Sequence, residues 1–273
     1  MKKQFIYELL ICPDCKSNLN KVDNSLICNK CNQKFDIIND AVIFKKLTPF
    51  QQKDTKHYFF ESYLNKFHTF NRSLNLNKKF VEDLIDSFDE NAKILNLGAG
   101  KQILRKNIVN IDIELFDNID IVGDANNIPI KENSFDCVIT QALLEHVSNP
   151  DTVVNEIYRI LKNGGCIYAE IPFLQPYHPS PNDFQRYTID GIRNLFNKFK
   201  EQTVGFCVGP TASLIGFLQE YIPLFFNFRI LRGMIYYFLK YFLFPLRYLD
   251  LLLVNNKKAH IVASSVFFLG TKT

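Results

Sequence analysis

Residues 94–100, with the sequence Ile-Leu-Asn-Leu-Gly-Ala-Gly, constrain the fold more than any other part of the chain. They predict a short apolar strand that ends in a tight turn, because glycine at positions 98 and 100 lets the backbone turn sharply and lets a ligand approach closely. Nucleotide-binding α/β sheets begin with such a strand and turn. A dinucleotide fingerprint would need a third glycine where this chain has Ile103, so a nucleoside ligand without phosphates is favoured. On its own, the motif is equally compatible with a plain structural turn.

Three further apolar stretches continue this pattern. Val109–Asp112 predicts a second strand that ends in a carboxylate, placed to accept both hydrogens of a ribose diol. Residues 119–125 predict a third strand, after which Asp124 and the backbone that follows it could hold the edge of an adenine. Residues 134–140 predict a fourth strand, which leads into the segment Gln-Ala-Leu-Leu-Glu-His-Val at residues 141–147.

The four motifs in this order resemble the class I S-adenosylmethionine-dependent methyltransferases. That family has a glycine turn, an acid after strand two, Asp-Ala after strand three and Leu-Glu-His-Val after strand four. The resemblance covers residues 90–206 and the C-terminal strand, and it implies a Rossmann-like doubly wound α/β sheet in which residues 261–270 return as an antiparallel edge strand. It also implies S-adenosylmethionine as the cofactor. The cofactor-binding residues that it implies are Asn96, Gly98, Ala99, Gly100, Asp112, Asp124, Ala125 and Gln141.

Two features depart from the family pattern. The residue before the glycine turn is usually an acid, whereas Asn96 can hydrogen-bond the amino-acid end of the cofactor but carries no charge. Eleven residues separate Gly100 from Asp112, which is too few for a full helix and a strand. The first crossover is therefore predicted to be a turn around residues 101–105.

Four of the seven cysteines form two Cys-x-x-Cys pairs that lie twelve residues apart. In a reducing compartment this spacing predicts four thiolates on a tetrahedral zinc ion, with a vestigial or disulfide-bonded pair as the alternative. The predicted metal ligands are Cys12, Cys15, Cys28 and Cys31. Residues 1–46 look like the zinc-ribbon family of small methyltransferase activators. Because all four ligands are cysteines, we expect a structural or docking module without catalytic chemistry.

The composition limits the possible partners. A chain of 273 residues with 47% hydrophobic residues can bury one substantial domain with one or two small additions. The net charge of +4 is modest and forms no clustered basic runs, so nucleic acid is not an expected partner. The apolar run at residues 5–11 contains Glu8 and leads into the cysteines without a small-residue cleavage site, so we expect a cytoplasmic protein.

Residues 172–188 form the most unusual predicted loop, because they contain four prolines and follow the fifth strand. This position lies over the carboxyl ends of the strands, where such sheets bind ligands. His178 or Asp183 is the predicted general base for an acceptor hydroxyl, Arg186 is the predicted positioning cation, and His146 is the next candidate base. The alternative is a proline-stiffened lid. The loop is similar to that of methyltransferases of bacterial surface-polysaccharide and lipid-linked glycan pathways.

The predicted domains are a zinc-ribbon module at 1–46, a helical linker or cap at 47–92, a methyltransferase core at 93–211 and 258–273, and a hydrophobic helical insertion at 212–257. In the insertion, Arg229, Arg232 and Lys240 share one face of a predicted helix that is otherwise apolar and aromatic. This pattern is typical of a helix at a membrane interface. A dimer interface or an enlarged core is the alternative.

The leading functional hypothesis is O-methylation of a sugar or lipid-linked glycan by a peripheral enzyme on the inner face of the cytoplasmic membrane. Its expected partners are S-adenosylmethionine, structural zinc, a glycan or lipid-linked acceptor and the membrane surface. An RNA base methyltransferase is the second hypothesis, since some ribosomal-RNA guanine methyltransferases also carry an N-terminal zinc module. The third is a membrane-docked scaffold with a methyltransferase fold and no catalysis, which Asn96 and the short first crossover suggest.

Overall fold

The computed structural model describes residues 5–45, 74–179 and 182–273. Most of the predicted linker or cap at 47–92 lies outside these ranges. The chain begins with a helical turn, α1 (Ile6–Leu9), and four short strands. The strands are β1 (Leu19–Val22), β2 (Ser25–Cys28), β3 (Lys34–Ile38) and β4 (Ala41–Ile43). They pair as antiparallel neighbours in chain order, and the two cysteine pairs flank the first hairpin.

The central sheet is mixed, with a parallel middle and an antiparallel end. Its strands are β5 (Ile94–Leu97), β6 (Val109–Asp112), β7 (Ile121–Val122), β8 (Phe135–Gln141), β9 (Leu161–Pro172), β10 (Phe199–Val208) and β11 (Ser265–Lys272). Strands β7, β6, β5, β8 and β9 lie side by side in parallel. This is the arrangement of a Rossmann-like methyltransferase sheet. No helix forms between β5 and β6, where the sequence predicted a turn.

The C-terminal strand lies at a different position in the sheet from the one that the sequence predicts. Strand β11 is antiparallel, as predicted, but it lies between β9 and β10 and pairs with both, so β10 forms the edge. The strand also begins later than predicted, because Ala259–Val262 form a 3₁₀ helix. Since β11 buries seven of its eight residues between two neighbours, it belongs to the core of the sheet.

Seven helices of the described ranges precede, follow or flank these strands. They are α1, α2 (Lys78–Asp86), α3 (Pro150–Ile160), α4 (Ile189–Leu195), α5 (Pro210–Tyr221), α6 (Arg229–Phe242), together with the short α7 (Asp250–Leu253). Helix α3 begins as its sequence predicts, with Pro150 in the first turn and the Asn149 side chain accepting a hydrogen bond from the Thr152 amide at 3.4 Å. It ends at Ile160 and passes directly into β9, so the glycines at 164 and 165 lie in the strand and do not stop the helix.

The zinc-ribbon segment is continuous with the central sheet. Strand β4 pairs in parallel with β7, which joins both parts into one sheet of eleven strands across the described residues. A second contact is formed where Ile11 N–H donates to the Pro129 carbonyl at 3.0 Å and Lys131 N–H donates to the Leu9 carbonyl at 2.9 Å. Both parts also share one buried apolar cluster. The segment therefore packs as part of the core domain.

The residues between β10 and β11 form a layer of helices with an apolar outer surface. Leu239 and Leu243 pack inward on Ile215, while four residues at a spacing of four on α6 are each more than 60% exposed. These four are Ile230, Met234, Phe238 and Phe242. The buried Asp250 carboxylate accepts the Thr211 amide at 2.8 Å and so caps the first turn of α5. Among the described residues, no helix combines the length and apolar character needed to cross a bilayer.

Candidate functional site

A cavity of about 460 Å³ lies at the carboxyl ends of the parallel strands. This volume is in the range of small-molecule sites, which is about 300–1,000 Å³. Its wall contains six of the residues that the sequence predicts to bind cofactor or act in catalysis. These are Gly98, Gly100, Asp112, Asp124, Ala125 and His146. Apolar side chains such as Leu97, Phe116 and Leu143 form much of the remaining wall.

The glycine turn has a backbone that other residues rarely adopt. Gly98 has φ of +73° and Gly100 has φ of +50°. The Gly98 amide donates to the Ile111 carbonyl at 2.9 Å, which ties the turn to β6. A Cβ at position 98 would lie 2.9 Å from the Leu143 Cβ, whereas a Cβ at position 100 would meet no atom within 4 Å and would project into free space beside the cavity. The turn thus leaves room for a ligand against its backbone.

Asp112 is held in place by the backbone on either side of it. Its carboxylate accepts the Gly100 amide at 2.7 Å on one oxygen and the Glu114 amide at 2.9 Å on the other. Each carboxylate oxygen has a second lone pair, so both can still accept a hydrogen bond from a vicinal diol in the cavity. The residue is therefore preorganised for the ribose-binding role that the sequence predicts.

Asp124 connects the cavity with the N-terminal segment. Its carboxylate accepts the Asn126 amide at 2.9 Å and the Lys45 ammonium group at 2.9 Å. Burial opposes ionisation of this side chain, but the hydrogen bonds from Asn126 and Lys45 hold the pKa of Asp124 below its ordinary value. Lys45 follows strand β4, and no feature of the sequence indicated its contact with the cavity wall.

Three predicted cofactor residues lie behind the wall. Asn96 is buried and donates to the Asn110 side chain at 3.3 Å, while its own Oδ1 has no hydrogen-bond partner among the described residues. Ala99 is buried within the glycine turn, and Gln141 accepts a hydrogen bond from Gln102 at 2.9 Å. Their roles as cofactor ligands stay predictions.

His146 on the cavity wall belongs to a group that we call the histidine cluster, formed by Glu145, His146 and His178. The Glu145 carboxylate is fully buried, and its Oε1 lies 3.7 Å from His146 Nε2 and 3.8 Å from His178 Nε2. The two imidazole rings meet edge to face with centroids 5.5 Å apart. The Glu145 carboxylate raises the pKa of His178, although partial burial of the ring opposes this. His146 lies on the cavity wall, whereas His178 is not one of the residues that line it.

Asp183 and Arg186 form an ion pair within the proline-rich loop. The guanidinium binds both carboxylate oxygens, and the His178 amide donates to Asp183 at 2.8 Å. Arg186 therefore holds the pKa of Asp183 well below its usual range. This makes Asp183 a weak proton acceptor and leaves the two histidines as the stronger candidates for the base.

Backbone hydrogen bonds fasten the same loop over the 3₁₀ turn Leu144–His146. The Phe184 amide donates to the Glu145 carbonyl at 2.8 Å, and the Gln185 side chain donates to the Val147 carbonyl at 2.9 Å. The loop is thus both the support of His178 and a cover for the buried Glu145. The sequence places Glu145 beside His146 in the fourth motif, but its burial and its position between two histidines become visible only in three dimensions.

The four predicted zinc ligands come together as the sequence predicts. All four Sγ atoms lie within 4.8 Å of one another, with 3.7 Å between Cys12 and Cys31 and 3.3 Å between Cys15 and Cys28. Four thiolates on tetrahedral zinc, at about 2.3 Å from the metal, lie about 3.8 Å apart. The donor set and spacing therefore fit a structural zinc ion.

Two family models match separate parts of the chain. Residues 86–169 match the family model of a methyltransferase domain, and residues 3–40 match that of Trm112p-like proteins. The ubiquinone/menaquinone biosynthesis C-methyltransferase of Desulfotalea psychrophila is 35% identical over 71 residues, which are 25% of this chain and 29% of that protein. The demethylmenaquinone methyltransferase of a Geobacillus strain is 26% identical over 123 residues, which are 44% of this chain and 53% of that protein.

The chain thus spans only about a third to a half of the length of these two relatives. Among solved structures, phosphoethanolamine N-methyltransferase 2 of Haemonchus contortus aligns at a TM-score of 0.44 and 14% identity, covering 72% of this chain and 52% of that chain. The two family matches and the four-cysteine cluster together support a class I S-adenosylmethionine-dependent methyltransferase domain with an N-terminal zinc ribbon.

Proposed function

We propose that this chain transfers the methyl group of S-adenosylmethionine to an acceptor that enters beside the histidine cluster. The observation that carries the proposal is the cavity at the strand ends, where a glycine turn with positive φ and a preorganised Asp112 form a nucleoside-sized seat. This seat lies within the segment that matches the methyltransferase-domain family. S-adenosylmethionine supplies an electrophilic methyl group when bound, and the remaining chemistry falls to the residues of the chain.

Each part of the cavity has a distinct role in this proposal. Asp112 accepts the ribose hydroxyls, and the backbone after Asp124 contacts the adenine. His146 lies on the same wall as these residues, so an acceptor bound there would meet an imidazole supported by a buried carboxylate. Removing a proton from the acceptor as the methyl group arrives is the task of such a group.

We propose an oxygen acceptor on a sugar or lipid-linked glycan, in keeping with the resemblance of the proline-rich loop to glycan-pathway methyltransferases. A second candidate is a carbon atom of a quinone ring, which the names of the partly matching relatives favour. Incubation with labelled S-adenosylmethionine and separate lipid, glycan and quinone fractions distinguishes the two, because the label enters only the fraction that contains the acceptor.

Replacing His146 or His178 by glutamine is expected to lower turnover by about 10²–10⁴-fold, the usual contribution of general acid–base catalysis. The affinity for S-adenosylmethionine should stay within about twofold of wild type, because neither ring belongs to the glycine turn or to Asp112. Turnover and calorimetric binding measured on the same preparations check both statements. His260→Gln is the matched control, since His260 is exposed and bonds only the Lys257 carbonyl among the described residues. Wild-type turnover in both cluster variants would show that the loop serves only as a lid.

We further propose that the helical layer between β10 and β11 holds the protein on a membrane surface. The exposed stripe on α6 places Ile230, Phe238 and two other apolar side chains outward, and Arg229 and Arg232 are exposed on the same helix. A helix that combines an exposed apolar stripe with exposed basic residues is typical of helices that lie in the headgroup region. Each basic residue near an anionic surface contributes about 1 kcal/mol, so attachment should weaken with salt and persist through apolar burial.

The protein is therefore expected to float with anionic vesicles in a density gradient. The double variant Ile230→Glu/Phe238→Glu should stay at the bottom, because it places two charges in the apolar stripe. Val22→Glu, which introduces one such charge at an exposed apolar residue of β1, is the control and should float like wild type. Wild-type protein that stays at the bottom, or a double variant that floats equally well, would show that this layer does not bind lipid.

A further inference from the structure

The histidine cluster brings together three atoms that can all donate an electron pair. Glu145 Oε1, His146 Nε2 and His178 Nε2 all lie within 4.8 Å of one another. The Glu145 side chain is completely buried, and neither of its carboxylate oxygens has a hydrogen-bond partner among the described residues. A buried carboxylate without a partner is strongly unfavourable, and a positive charge beside it relieves that cost.

The other nitrogen of each ring determines which form the histidines take. His146 Nδ1 lies 2.5 Å from the Asn182 carbonyl, and His178 Nδ1 lies 3.1 Å from the Pro176 carbonyl. A carbonyl oxygen only accepts hydrogen bonds, so the Asn182 contact places a proton on His146 Nδ1. His178 Nδ1 lies as close to the Arg186 guanidinium, which only donates, as to the Pro176 carbonyl. In the neutral ring of His146, Nε2 then presents its lone pair toward Glu145. A histidine that binds a metal commonly donates its second ring N–H to a backbone carbonyl in this way.

Arg186 does not supply the missing charge. Its Nη2 lies 3.1 Å from His178 Nδ1 and 3.2 Å from the Pro176 carbonyl, on the side of the ring away from Glu145. Its charge is matched by the Asp183 carboxylate, which it binds through both oxygens. With this pair balanced and both imidazoles neutral, the Glu145 carboxylate leaves the site with one net negative charge. The distances of 3.7 Å and 3.8 Å from its Oε1 to the two Nε2 atoms are also too long for direct hydrogen bonds.

We infer that Glu145, His146 and His178 bind one divalent cation of the zinc, manganese or iron(II) class. Two imidazole nitrogens and one carboxylate oxygen are a ligand set that such ions accept, and three protein ligands leave further coordination positions open. Ligand atoms about 2.0–2.2 Å from a tetrahedral zinc ion lie about 3.4 Å apart, so the two distances from Glu145 Oε1 to the imidazoles need to shorten by only a few tenths of an ångström. This cluster is separate from the four-cysteine site, which has no open position.

The cluster also borders the cavity, because His146 belongs to its wall. With the cation bound, both Nε2 lone pairs are used, so the cation would take the place of the imidazole base. An open coordination position on that side would bind an oxygen atom of the acceptor and favour loss of its proton. This consequence rests on the proposed methyl transfer, whereas cation binding does not. An experiment can therefore contradict cation binding without contradicting methyl transfer, and the reverse.

Titrating the full chain with metal ions, while zinc is retained at the four cysteines, tests the inference without measuring turnover. Free Mn²⁺ is followed by its electron paramagnetic resonance signal, and bound zinc by metal analysis after dialysis against Zn²⁺. Mn²⁺ does not displace zinc from thiolates, because it binds such sites more weakly. We expect one Mn²⁺ per chain, or a second zinc ion beyond the one held by cysteine.

Glu145→Gln and His178→Gln should each lower this affinity by at least tenfold, while His260→Gln should leave it unchanged. His178 is about one-third exposed, so His178→Gln is expected to fold even if Glu145→Gln, which removes a buried carboxylate, does not. Retention of the cysteine-bound zinc reports that each variant is folded. Wild-type protein that takes up neither Mn²⁺ nor a second zinc ion, or a His178→Gln variant that binds as tightly as wild type, would overturn the inference.

Discussion

Replacing Gly98 by valine is expected to abolish binding of S-adenosylmethionine. The backbone at this position has φ of +73°, which a β-branched residue adopts only with strain. The new Cβ would also lie 2.9 Å from the Leu143 Cβ, and Leu143 is part of the cavity wall. Both effects deform the turn against which the cofactor is proposed to lie. Isothermal titration calorimetry measures the result.

Asp112→Ala tests the other side of the same proposed cofactor site. It removes the acceptor for the Gly100 and Glu114 amides as well as the proposed partner of the ribose diol. Loss of a hydrogen bond to a charged group costs about 1.5–3 kcal/mol, so affinity should fall by about tenfold to more than a hundredfold.

Gly233→Val is the matched control for Gly98→Val, because a Cβ at Gly233 meets no atom within 4 Å and the residue lies on α6, away from the cavity. Unchanged binding in both Gly98→Val and Asp112→Ala would remove the methyltransferase proposal.

Cys28→Ser is expected to release the structural zinc and to unfold the N-terminal segment. Cys28 is fully buried, and the apolar core of so short a segment is small. Structural zinc contributes about 10–16 kcal/mol to the folding of comparable modules, which far exceeds what the packing of this segment can replace. Zinc content should fall from one ion per chain to nearly none, and amide exchange should become fast across residues 5–45.

Lys30→Ala provides the matched comparison for the zinc experiment. Lys30 lies between the two cysteines of the second pair and is exposed, so its loss should leave both zinc content and amide exchange unchanged. Wild-type protein that is folded, reduced and free of zinc would contradict the structural role of the metal.

Much of the fold can be predicted from the sequence because its signals are local. The cysteine spacing, the apolar strands that end in glycine or aspartate, and the Asn149 and Pro150 start of α3 each depend on a few neighbouring residues. The apolar strand sequences around Cys137, Cys166 and Cys207 likewise predict that these cysteines are small buried residues, and all three are buried.

The features that were not predicted depend on distant parts of the chain. Asp250 caps a helix that begins forty residues earlier, and Lys45 contacts Asp124 across the junction of the two segments. The pairing of β4 with β7, and the insertion of β11 inside the sheet, are choices among several strand partners that have similar apolar sequences. Glu145 illustrates the same limit at the site, since only tertiary packing places its carboxylate between His146 and His178.

The junction of β4 and β7 also determines which strands end the sheet. Without it, the two-residue strand β7 would present unpaired backbone groups to solvent beside buried apolar side chains, which is a template for pairing with another chain. With it, the terminal strand is β1, whose Asn20 and Lys21 are exposed. The opposite edge, β10, exposes Lys200 and Glu201 in the same manner. Charged residues on both outer strands discourage edge-to-edge association, so the zinc ion, by keeping this segment folded, also protects the sheet against aggregation.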